Sequence, residues 1–138
     1  MLYPCSVLKG DDSRALHFGI AFANAGQTTD TGAKVIHIGK NTSSEVVSKS
    51  LSKNGGVSIY RGLIDIKKSA KNATSKIDCD GLILDERSRS DTIPDIRVGS
   101  DDALVAHEAS VGKINEDTLF YLMSHGMSEE AAKTMIVR

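Results

Sequence analysis

The chemistry open to this sequence rests on a few side chains. Cys79 heads the stretch "CDGLILDERSRSDTIP", residues 79 to 94, just before the apolar run Leu82, Ile83 and Leu84. A thiol acts as nucleophile or metal ligand in its thiolate form. Asp78 and Asp80 flank Cys79, and neighbouring negative charge raises a thiol pKa. Two readings stand: a small buried hydrophobe, which cysteine often is, or a sulfur presented for chemistry. Cys5, close to the chain start, reads as structural. His17 and His37 sit in strand-like runs and read as hydrogen-bonded structural histidines. The glycines of "SKNGGVS" are followed by no Walker lysine, and the sequence shows neither a nucleophilic triad nor a paired-histidine zinc motif. Catalysis in the ordinary sense is not expected.

The two cysteines are too few for a disulfide framework and neither sits in a CxxC pair, which implies free thiols in a reducing compartment. With 138 residues, 40% hydrophobic content and a net charge of −1, the chain suits one soluble domain with a modest core. Its 17 basic residues are interspersed with 18 acidic ones, so no concentrated basic surface is available to displace counterions from a nucleic acid. No window approaches the roughly 20 apolar residues that cross a bilayer. The opening "MLYPCSVLKG" lacks a charged n-region followed by a long apolar h-region. These features predict a cytoplasmic protein with neither nucleic acid nor membrane as partner.

The elements that must position Cys79 follow from pattern. Three Phe, three Tyr and no Trp leave the core to small and β-branched side chains, which thin repetitive layers accommodate well. From residue 5 to about 112, short runs of Val, Ile, Leu and Thr alternate with Gly, Asn, Asp and Ser, as in "AKVIHIGKNTSSEVVSKSLSKNGG". Turns are predicted at Lys9-Gly10-Asp11-Asp12, Asn24-Ala25-Gly26, Gly39-Lys40-Asn41, Asn54-Gly55-Gly56 and Lys71-Asn72, where Gly or Asn can take positive φ. Strands of about five residues with no helix between them argue for an all-β architecture. The hydroxyl-rich set Thr28, Thr29, Thr42, Ser43, Ser44, Ser48, Ser50 and Ser52 suits a stacked solenoid, and equally a sandwich with one wet face. Arg87, Arg89 and Asp91 read as a solvated ladder of opposite charges along a strand.

After Gly112 the texture changes. Leu119, Leu122 and Met123 follow helical spacing, Asn115 can cap, and Glu116 and Asp117 fall in the first turn. Gly126 should end that helix, and Ser128 should cap a second one running to Arg138 with Ala132, Met135 and Ile136 on its apolar face. Phe120, Tyr121 and Met123 read as helix core or as a docking face. Two short helices bury little alone and must pack on the β part or on another chain.

The stretches "DTGAKVIHIGKNTSSEVVSKSLSKNGGVSIYRGLIDI", "DCDGLILDERSRSDTIPDIRV" and "VAHEASVGKINEDTLFYLMSHGMSEEAAKTMIVR" resemble the C-terminal core of the SufB/SufD family, the scaffold proteins of the Suf iron–sulfur cluster assembly system. The resemblance runs from about Pro4 to Arg138. It implies a mainly β fold, a right-handed parallel β-helix over residues 1–112, followed by the start of a small C-terminal α-helical domain over 113–138. Family chains extend further at both ends, so a fragment or a truncated homologue is expected.

His107-Glu108 in "AHEASVGKI" resembles the SufB version, where His-Glu-Ala is usual, more than the SufD version, where Gly commonly follows the His. The cysteine heading "CDGLIL" is also SufB-like. The resemblance therefore favours the SufB branch and implies that Cys79 is a cluster- or sulfur-handling residue, with His107 and Glu108 beside it at an interface between scaffold subunits. SufB chains carry Glu before this His, where this sequence has Ala106, one acidic ligand fewer. A SufD-like structural subunit with no essential ligand is the alternative.

Iron clusters favour thiolates, with imidazole and carboxylate as harder donors. Residues 107 and 108 point to opposite faces of a regular strand, so both meet Cys79 only at a bulge or an edge. The iron–sulfur cluster would be transient, with none expected in protein purified in air. ATP hydrolysis would belong to a separate ABC-type ATPase, SufC, docked by the C-terminal helices. A SufB/SufD-type subunit would meet the β-helix edge, and this chain by itself would form a homodimer near residues 100 to 112.

Overall fold

A computed structural model describes residues 1–137; Arg138, where the sequence places the end of the second helix, lies outside the described residues. Eight strands, β1 (Cys5–Leu8), β2 (Arg14–Ala23), β3 (Thr28–His37), β4 (Ser43–Ser52), β5 (Val57–Ile66), β6 (Thr74–Ile83), β7 (Arg89–Val98) and β8 (Leu104–Lys113), precede helices α1 (Glu116–Ser124) and α2 (Glu129–Val137). The odd strands form one sheet in the order β1-β3-β5-β7 and the even strands a second, β2-β4-β6-β8. Every pairing is parallel. The chain crosses to the other sheet at each turn, so two consecutive strands make one coil and four coils stack. The architecture is a parallel β-solenoid, and the sandwich alternative falls away.

The period hidden in the sequence is visible in the register. Arg14, Ser43, Thr74 and Leu104 are stacked partners, at steps of 29, 31 and 30 residues. Strands β2 to β8 are ten residues long, twice the length the sequence suggested. The reason is that glycine and proline do not end them: Gly32, Gly62, Gly81 and Pro94 all lie mid-strand. Flanking ladders hold such residues in place, and Pro94 falls on β7, an edge strand of its sheet, where a missing N–H is tolerated.

The five predicted turns are corners of the solenoid, and two further corners, at 84–88 and 99–103, were not singled out in the sequence. Asp12, Asn41 and Asn72 take the left-handed conformation at one corner, and Gly26, Asn54 and Gly55 at the other. Their side chains also stack between coils. The Asn72 amide donates to Asn41 Oδ1 at 3.0 Å, and the Asn54 amide donates to Asn24 Oδ1 at 2.9 Å. Coils approach closely here: a Cβ built on Gly56 would lie 2.3 Å from the Ala23 carbonyl oxygen. Glycine is therefore required by contact with the neighbouring coil.

Between the sheets lies a thin core of Val35, Val46, Ile64, Ile66 and Ile77, closed by alanines and serines. Several buried serine and threonine hydroxyls are paired, as in Ser52 with Ser58 at 2.9 Å. The helices are capped as expected. Asn115 Oδ1 accepts from the Thr118 N–H at 3.1 Å, Gly126 takes φ 90° after α1, and Ser128 Oγ accepts from the Ala131 N–H. α2 buries Ala132 completely and is held to the solenoid by the Lys53–Glu130 ion pair. α1 buries no residue. Phe120 is 74% exposed and Tyr121 and Met123 are also exposed, which overturns the helix-core reading of these three. Arg87 lies in the turn before β7, so the charge ladder reduces to the Arg89–Asp91 pair.

Candidate functional site

Cys79 occupies the middle of β6, on the inward side with Ser75 and Ile77, because side chains alternate along a strand. It is 4% exposed. In its row across the sheet stand Gly19 on β2, Ser48 on β4 and Ala109 on β8, all small. Burial pushes the thiol up to about 11, with the charges of Asp80 and then Asp78 acting in the same direction. At neutral pH Cys79 is a protonated thiol. Tyr60, inward-facing on β5, shares its core cluster. The Tyr60 hydroxyl is buried with no hydrogen-bond partner, and its pKa is raised first by burial and then by Cys79.

β8 carries the other two candidates. Ile77 pairs with His107, Asp78 with Glu108 and Cys79 with Ala109. His107 thus shares the inward side of the sheet with Cys79, one strand across and two residues along, a Cα separation of about 8 Å from ordinary strand spacings. Glu108 lies on the outward side, beside Asp78. The structure therefore groups Cys79 with His107 and separates both from Glu108, with no bulge to reunite them. Among the described residues, no group of three or more His, Cys, Asp or Glu side chains is gathered as a metal site. β8 is the last strand of its sheet and, apart from half-buried Val105, its residues through Lys113 are exposed.

The outward side around Glu108 is densely charged. Asp78 accepts from Lys76 Nζ at 2.7 Å through one oxygen, while the other, Oδ1, is buried without a partner. Asp80 accepts from Lys49 and from Ser110 Oγ, at 2.6 Å for the latter. Those two bonds, Lys49 first, hold its carboxyl below the usual range. Sequence reasoning treated Asp78 and Asp80 only as neighbours of Cys79. Their contacts with Glu108 and Ser110 span 30 residues, and only the coil period could have revealed them.

Cys5 is exposed on β1, and His17 bonds Ser6 Oγ at 3.0 Å. No helix among the described residues is long and apolar enough to cross a membrane.

Comparison with known proteins bears on this arrangement. Residues 1–138 match the family described as "SUF system FeS cluster assembly, SufBD core domain". Proteins named iron-sulfur cluster assembly SufBD family protein in Staphylococcus epidermidis, Staphylococcus haemolyticus and Staphylococcus aureus are each 54% identical over 137 residues. The alignment covers 99% of this chain and 30% of each relative, so the chain spans about a third of their length. A family match over every residue of this chain, with relatives 54% identical across nearly all of it, leads to one conclusion: the chain belongs to the SufBD family of iron–sulfur cluster assembly proteins.

Proposed function

We propose that this chain is the core of a SufB-like scaffold subunit on which an iron–sulfur cluster is assembled as cargo, at an interface between two subunits. The observation that carries the reading is the placement of Cys79 and His107 on one side of adjacent strands, β8 being the last strand of its sheet among the described residues. A thiolate and an imidazole are a chemically sensible pair for iron. Glu108, on the opposite side with Asp78, is the harder donor. It would act on iron before or beside the cluster, or from a second subunit's side of the interface.

The buried, protonated state of Cys79 makes this a gated scaffold. Iron must displace a proton from a thiol held up at about 11, and the sulfur must first be uncovered. An ABC-type ATPase of the SufC kind, docked on the exposed Phe120 and Tyr121 of α1, would supply the motion. The partner at the solenoid end would be a SufB/SufD-type subunit, or a second copy when the chain is alone. The reaction at this chain is assembly, with hydrolysis left to the ATPase, and the setting is the cytoplasm. The same burial favours a second reading, a SufD-like structural subunit in which Cys79 is only core.

Anaerobic reconstitution of the full-length homologue with iron and sulfide, read by visible absorption, distinguishes them. The scaffold reading expects Cys79→Ala to abolish cluster formation with the fold intact, and His107→Ala and Glu108→Ala to weaken it unequally. The structural reading expects a cost of about 1 kcal/mol from the small cavity, with activity lost only in proportion to unfolding. A fully active Cys79→Ala protein ends the ligand hypothesis.

A further inference from the structure

His37, at the end of β3, is completely buried, and the proposed function makes no use of it. Its ring lies between the two sheets. Nδ1 is 2.8 Å from Thr42 Oγ1 in the corner after β3, and Nε2 is 2.9 Å from Ser44 Oγ on β4. Ser44 Oγ in turn lies 2.8 Å from Ser75 Oγ on β6. One donor in this chain is fixed: Thr42 Oγ1 donates to the Gly39 carbonyl, which can only accept. Thr42 Oγ1 must then accept from Nδ1–H, leaving Nε2 as the acceptor for Ser44 and Ser44 as the acceptor for Ser75. These directions hold for a neutral ring with its proton on Nδ1, the form that burial favours.

We infer that this relay is an acid-sensitive latch: it joins the two sheets at one corner of the solenoid only while His37 is neutral, and acid opens the coil there. A second proton on the ring would turn Nε2 into a donor, so the Ser44 hydrogen would lose its acceptor unless Ser44 reversed and donated to Ser75. After that reversal Ser75 would need an acceptor of its own, and among the described residues Ser44 is its only side-chain partner. The charge would also be uncompensated. Leu8 on β1 and Ile66 on β5 flank His37 in the ladder, Thr42 and Ser44 bond its ring, and Ser75 on β6 bonds Ser44; none of them is titratable or charged. Burial alone accordingly holds the ring below its ordinary value of 6.5.

The sign follows from the two end states. Above about pH 6.5 the ring is neutral in folded and unfolded chains, and the latch contributes fully. Below that value the unfolded chain takes up a proton that the folded one refuses, so stability falls. The further the pH falls below that value, the more this residue alone raises the unfolding constant.

Nitrogen-15 NMR of the His37 ring in the wild-type chain, from about pH 7.5 to about pH 5.5, tests the latch. We expect an Nδ1–H tautomer that does not titrate while the chain is folded. Hydrogen exchange at the lower pH should reach the amides of Ser43, Lys67 and Thr74, which bond Ser13, His37 and Thr42 around this corner, before those of Lys53 and Leu84 at the other corner. His37→Gln should flatten the pH dependence of unfolding over the same range. A ring that titrates normally in the folded chain, or exchange that proceeds equally at both corners, overturns the proposal. So does a His37→Gln chain with the wild-type slope. Should that variant fail to fold, the wild-type measurements decide alone.

Discussion

Cys79 and Cys5 show how far one residue type can be driven by its surroundings. Both thiols are free, but Cys5 is exposed on β1 whereas Cys79 is enclosed and pushed up to about 11. Alkylation reads the thiolate, so at neutral pH Cys5 should label quickly and Cys79 only after the solenoid opens. Mass spectrometry over a pH series should show Cys79 labelling rising steeply above neutral pH. Equal rates for the two thiols would contradict the burial. Flanking acids in the sequence already signalled the direction for Cys79. The burial that dominates it, and the Tyr60 hydroxyl nearby, come from a strand distant in sequence and could not be read locally.

The strands were legible as strands, but their length was not. Breaking residues such as Gly62, Gly81 and Pro94 sit inside ladders that extend on both sides or along an edge, and a local reading stops at each of them. Most corners were legible because Asn and Gly adopt the left-handed conformation there for local reasons. Gly56 combines turn and close approach. Gly56→Ala should destabilise the chain by about 1 to 3 kcal/mol, since its Cβ would fall 2.3 Å from the Ala23 carbonyl oxygen. Gly10→Ala, with nothing within 4 Å of its built Cβ, is the control and should change the denaturation midpoint little. Similar midpoint shifts for the two would refute the close-approach account. The helix caps were equally local, and Asn115, Gly126 and Ser128 act as read.

At the scale of the whole molecule, the four coils leave strand edges and apolar side chains at the β7–β8 end, among them Leu104 at 71% exposure, Val98 and Val111. Unpaired parallel edges of this kind associate. The expected outcome is a homodimer through residues 100 to 112, seen by light scattering and returned to monomer by Leu104→Lys with Val111→Lys. A monomer at every concentration would refute association. A dimer that survives those changes and yields to Phe18→Glu would move the contact to β2, where outward Leu16, Phe18, Ile20 and Phe22 are also exposed. Composition showed an all-β core but left solenoid and sandwich equally open, and the family resemblance pointed to the solenoid; the grouping of Cys79 with His107 and the exclusion of Glu108 needed the register between coils.

The corner at Asn54-Gly55 also bears on how the protein ages. Asparagine followed by glycine is the pair most open to loss of the side-chain amide, through attack of the glycine nitrogen on the asparagine carbonyl. Here the Gly55 N–H donates to Ser88 Oγ at 3.0 Å, and the Asn54 amide is tied to Asn24. The attacking nitrogen and its target are both restrained while the coils remain stacked, and the ring closure requires local opening. Conversion at Asn54 therefore accumulates with the time the corner spends open, so each molecule carries at this position a chemical record of its own excursions from the native state.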